Sequence, residues 1–192
     1  MAEVLLIHHA LGLTPGVHAF ADSLRAGGHT VHTPDLFEGR TFDDVSAGVG
    51  HAGEIGFEEV HARGARAADP LPTSLVYAGF SLGVVSAQRL AQTREGAAGA
   101  VLMESCVPAT EFGERWPAGV PVQVHGLDGD EFFVGDGDIE FARAIVAEAD
   151  RGELFLYPGD GHLFADPASA SYDADAAKLL VERVLAFLDT LG

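Results

Sequence analysis

The sequence predicts an α/β fold: a mostly parallel sheet of about six strands, with helices on both faces. Two observations carry that expectation. Short apolar runs alternate with longer segments of helical period along the whole chain. The runs are also nearly continuous in Val, Leu and aromatic residues, as strands buried on both faces of a parallel sheet must be.

In chain order, the strands are expected at Val4–Ile7, His29–His32, Leu75–Gly79, Ala100–Met103, Val120–Val124 and Glu153–Tyr157. The helices between them are expected at Val17–Ala26, Phe57–Ala68, Val84–Arg94, Ile139–Ala149 and Ala174–Leu191. The last is the clearest, because Leu180, Val184, Phe187, Leu188 and Leu191 form one apolar stripe, with Asp173 and Asp175 at its start. Glu38–Gly56, rich in Gly and Asp, and Ser105–Gly119 read as irregular. Both follow strands and so lie at the carboxyl edge of the sheet, where open parallel sheets bind ligands.

At 192 residues the chain suits a single domain, residues 1–192, with 47% apolar residues to build a core. A formal charge of −18 disfavours nucleic acid and anionic membrane as partners and accounts for solubility. No apolar run approaches a membrane span. The start lacks the basic residues and cleavage site of a secretory signal, so a cytoplasmic location is expected. Cys106 stands alone, which excludes an intrachain disulfide.

Gly79-Phe80-Ser81-Leu82-Gly83 is a Gly-x-Ser-x-Gly pattern, weak by itself in a chain with 24 glycines. Its place directly between a strand and a helix strengthens it, for that is the setting of a nucleophile elbow. The bland alternative is an ordinary turn with Ser81 as helix N-cap. A serine nucleophile needs a general base, and His162 best fits among nine histidines. It lies in the Gly/Pro-rich loop after the last strand, the expected place in the order Ser…Asp…His. The acid belongs after the preceding strand, where Asp128 and Asp130 are both candidates that spacing cannot separate. The oxyanion would be received by the backbone amides of Leu82 and Ala10.

His8 and His9 point to opposite faces of a strand, which argues against a shared metal, and no metal or cofactor is expected. Cys106 lacks an elbow of its own and reads as packing or pocket lining.

These motifs resemble the dienelactone hydrolase family of α/β-hydrolases. The resemblance rests on Pro34-Asp35-Leu36-Phe37-Glu38-Gly39, the elbow, the loop at 125–130, and Tyr157-Pro158-Gly159…Gly161-His162-Leu163-Phe164. The family's acid loop reads Asp-x-Phe, which favours Asp130 over Asp128. The founding members use a cysteine nucleophile, whereas this chain has Ser81. They also carry a glutamate after the first strand where His9 stands here. The resemblance thus implies a serine esterase or lactonase of compact form, acting on a small ester or lactone. Alternatives on the same scaffold are a thioesterase, a cofactor-free perhydrolase or a non-catalytic binding protein. His9, Phe37, Arg40 and Phe164 are expected to contact substrate, with Arg40 able to meet a substrate carboxylate. A homodimer is left open.

Overall fold

The computed structural model describes every residue from Met1 to Gly192. Six parallel strands, β1 (Glu3–Ile7), β2 (Thr30–His32), β3 (Val76–Phe80), β4 (Gly99–Met103), β5 (Val122–Leu127) and β6 (Gly152–Tyr157), form one sheet. Their order is β2-β1-β3-β4-β5-β6. All six predicted strands are present, and every ladder is parallel.

Alternation along the strands splits the core in two. Leu5 and Ile7 point to the face covered by α4 (Leu82–Thr93) and α5 (Asp138–Glu148), with Val60 of α3 (Phe57–Ala67). Val4 and Leu6 point to the opposite face, which is covered by α1 (Pro15–Ala26) and α6 (Ala174–Asp189). The apolar stripe of α6 is buried as its spacing predicts, with Leu180, Val184, Phe187 and Leu188 all in the core. Asp173 caps that helix by accepting from the amides of Asp175 and Ala176 at 3.0 Å each.

One helix was not legible in the sequence. Within the segment expected to be irregular, Val45–Ile55 forms α2, capped by Asp44, whose side chain accepts from the Ala47 amide at 2.8 Å. Gly48, Gly50 and Gly53 lower its helical propensity. Gly48 has a packing reason: a Cβ there would lie 1.9 Å from the Ala10 carbonyl oxygen. The expected strand at Val120–Val124 is shifted, starting after Pro121 and running on to Leu127.

The ladder continues past the strand ends. Ser81 N–H donates to Met103 O at 2.8 Å, Glu104 N–H to His125 O at 2.7 Å, and Asp128 N–H to Tyr157 O at 2.9 Å. The residues that follow β3, β4 and β5 are therefore set side by side along one carboxyl edge.

Candidate active site

Ser81 occupies the turn between β3 and α4 with φ 44° and ψ −112°, a conformation that costs a non-glycine residue about 1–3 kcal/mol. The flanking glycines are required by close approach. A Cβ on Gly79 would lie 2.6 Å from Gly83 O, and one on Gly83 would lie 2.5 Å from Ile7 O. The Ser81 side chain caps no helix amide, so the N-cap alternative does not describe it. Its hydroxyl is instead 2.8 Å from His162 Nε2.

On the other side of the ring, His162 Nδ1 lies 2.7 Å from Asp130 Oδ2. Asp130 is fully buried, and its second oxygen accepts from the Phe132 amide at 2.9 Å. That bond opens a single wide turn, Glu131–Gly135, with i+5 spacing at Asp136 N–H to Glu131 O. Asp130 thus caps a turn and holds an imidazole at once. Asp128 is exposed and accepts from the Gly159 amide at 3.1 Å, so it ties the loop after β5 to the loop after β6.

Burial pulls the His162 pKa down, but the Asp130 hydrogen bond and the nearby Glu104 and Asp130 charges outweigh it, leaving it above its ordinary value. Glu104 carries no motif that marks it in the sequence. It directly follows β4 at φ 63°, is buried, and accepts from the Phe164 amide at 2.6 Å while its second oxygen has no partner. Burial pushes its pKa up to about 7, against the pull of His162. Ser81, Glu104 and Leu163 are three of the four non-glycine residues with positive φ, so backbone strain gathers around this site.

The first loop is held by a second histidine–aspartate pair. His9 Nε2 lies 2.7 Å from Asp166 Oδ2, and His9 Nδ1 accepts from the Leu11 amide at 3.2 Å. Asp166 also accepts from Thr14 Oγ1, at the N-cap of α1, and from the Ala168 amide. Burial raises the Asp166 carboxyl, yet these bonds outweigh it and keep it below the usual carboxylate range. The Leu11 amide is thereby committed, whereas the Ala10 amide donates to none of the loop hydrogen bonds. Nothing in the spacing of Asp166 and Thr14 from His9 signals this contact in the sequence.

His8 does not face His9's partners. Its Nε2 accepts from the Leu36 amide at 3.0 Å, and burial pushes its pKa down to about 4, so it is neutral. No group of three metal-ligating side chains is assembled anywhere in the chain.

A cleft of about 320 Å³ opens at His162, floored by Leu11 and Val45 and flanked by Phe132 and the Ser169–Ser171 loop. The substrate contacts expected from sequence lie elsewhere. His9 is fully buried against Asp166, and Phe164 is buried in the core against Tyr157. Phe37 packs edge-on to His8, and Arg40 reaches His51 Nδ1 at 3.3 Å. Both line a separate depression with Ile55 and Arg63. Phe132, two residues after Asp130, faces the cleft without a sequence signal for that role: its half-exposed ring lies 4.6 Å from that of His162. Cys106 is buried between Gln88 and Val107, and burial pushes its thiol far up, away from the reactive thiolate.

The model of the dienelactone hydrolase family matches residues 1–192. A search of curated protein sequences returned no match. Among solved structures, a dienelactone-hydrolase-like promiscuous phosphotriesterase from metagenomic libraries superposes with a TM-score of 0.74 at 19% identity, covering 100% of this chain and 87% of that one. Esterase 2 of Thermogutta terrifontis, phosphorylated by paraoxon, gives 0.62 at 15% identity, covering 100% and 83%. The esterase domain of a Rhodothermus marinus protein gives 0.60 at 15%, covering 100% and 88%. These likenesses establish the α/β-hydrolase fold, and the family match runs from the first residue to the last. The chain belongs to the dienelactone hydrolase family and is a hydrolase acting on ester bonds.

Proposed function

We propose that the protein hydrolyses a carboxylic ester or lactone through an acyl-enzyme, with Ser81 as nucleophile, His162 as general base and acid, and Asp130 as the acid that orients His162. The observation that supports this reading is the unbroken hydrogen-bonded chain from Ser81 Oγ through both ring nitrogens of His162 to Asp130. Its lengths, 2.8 and 2.7 Å, are those of a nucleophile within reach of its base and a base held by its carboxylate.

In the first step Ser81 Oγ bonds to the ester carbonyl carbon as His162 Nε2 takes its proton. The oxyanion is received by the amides of Leu82, at the start of α4, and Ala10. His162 then returns the proton to the alcohol oxygen, the carbon–oxygen bond breaks, and the acyl group remains on Ser81. Water attacks the acyl carbon with its proton passing to His162, which hands it to Ser81 as the acid departs. Asp130 stabilises the imidazolium each time it forms.

Two of the similar proteins carry organophosphate chemistry in their names, one a phosphotriesterase and one an esterase phosphorylated by paraoxon. On that basis paraoxon is a covalent inhibitor expected to phosphorylate Ser81. The kinetic test is Ser81→Ala, which should lower turnover of a short activated ester by about 10⁴-fold. Hydrolysis by that variant within a few-fold of the parent would overturn the nucleophile assignment.

A further inference from the structure

We infer that the cleft selects its ester by charge, accepting cationic and neutral substrates and turning away those that carry a carboxylate. This deepens the proposed ester hydrolysis and rests on it. The surroundings of His162 carry one sign of charge. Asp43 and Asp44, just ahead of α2, and Asp160, in the loop after β6, line the same cleft from two sides. All three are exposed. No lysine or arginine lines the cleft.

That one-sidedness is built into where the cations are placed. Of the 11 basic side chains, the one nearest in sequence is Arg40, and it reaches His51 over the separate depression. Arg63 is held by Glu38 and Glu59, and Arg66 by Glu59. Arg143 pairs with Glu140, Lys178 with Glu182, and Arg183 lies over the Phe155 ring at 4.2 Å. None of these six lines the cleft at His162.

The walls match a cation in a second way. The exposed face of Phe132 beside His162 offers an aromatic surface, which attracts ammonium groups through its quadrupole. Leu11 and Val45 supply the apolar floor for an aliphatic chain. The overall charge of −18 has the same sign as the cleft, and clefts lined by one sign of charge change encounter rates by about 10 to 10³-fold.

The test uses three 4-nitrophenyl esters of equal chain length, ending in a trimethylammonium, a tert-butyl or a carboxylate group. At low ionic strength kcat/KM should fall in that order, with about tenfold or more between the ends. Sodium chloride at about 0.5 M, where the Debye length is only a few ångströms, should compress the spread. Asp43→Asn together with Asp160→Asn should narrow the ratio of cationic to anionic rates at low salt. A carboxylate ester turned over as fast as the tert-butyl ester at low salt would overturn the inference, as would a ratio indifferent to both carboxylates. Turnover of none of the three would instead defeat the proposed ester hydrolysis itself.

Discussion

Asp130 and Asp128 stand two residues apart in one loop, yet their side chains have opposite fates. Asp130 is buried beneath His162, whereas Asp128 faces solvent and fastens the Gly159 backbone. Asp130→Asn should therefore cost about 10⁴-fold in kcat by offering the ring the wrong tautomer, and Asp128→Asn no more than a few-fold. A steady-state comparison of the two variants on one ester checks this, and a larger loss at Asp128 would contradict it. Glu104 gives a further prediction. Its charge raises the His162 pKa, and the base works only when neutral, so Glu104→Gln should move the acid limb of the kcat/KM profile to lower pH. The carboxyl's folded pKa, about 7, lies above its ordinary 4.5. Its contribution to stability is thus complete below about pH 4.5 and is lost as pH rises through about 7. The Tm of Glu104→Gln relative to the parent should accordingly improve as pH rises through that window. A constant difference in Tm would contradict it.

The elements that carry the site meet at the carboxyl edge, and their junctions explain what the sequence does and does not disclose. The elbow is legible because both its glycines are forced by local approach, Gly79 onto Gly83 and Gly83 onto β1. His162 and the aspartate loop are legible because chain order along a parallel sheet fixes which strand each follows. The contact between α2 and the Ala10 loop is not legible, because the glycine that permits it, Gly48, reads locally as a helix breaker. The pairing of His9 with Asp166 is hidden for a related reason: 157 residues separate them, and no periodicity links them. The sequence places His9 in the pocket, whereas in the structure it anchors the first loop through Asp166. Gly48→Ala is informative at this scale. The added methyl must displace the Ala10 loop or α2, and a shift of about 1 Å at an oxyanion donor costs about 10²-fold in kcat. KM should change far less. Full kcat in a folded Gly48→Ala protein would show that the loop does not position the oxyanion.

At the scale of the molecule, 29 acidic against 11 basic side chains make self-repulsion a persistent opponent of the compact state. Most ion pairs on the surface involve exposed side chains, and such pairs contribute little. Stability rests on the two apolar layers around the sheet. Moderate sodium chloride should therefore raise Tm at pH 7.5 by screening the repulsion, and a fall in Tm over the same range would contradict this. The same field underlies the charge selectivity inferred for the cleft. The proposed chemistry, however, depends on one hydroxyl of this acidic body, that of Ser81. Its most direct test is to quench the enzyme during turnover of 4-nitrophenyl acetate and locate the acyl group by peptide mass spectrometry. One acetyl group is expected on Ser81, absent in Ser81→Ala and accumulating slowly in His162→Ala. An acetyl group on Cys106, or turnover with Ser81 unmodified throughout, would contradict it.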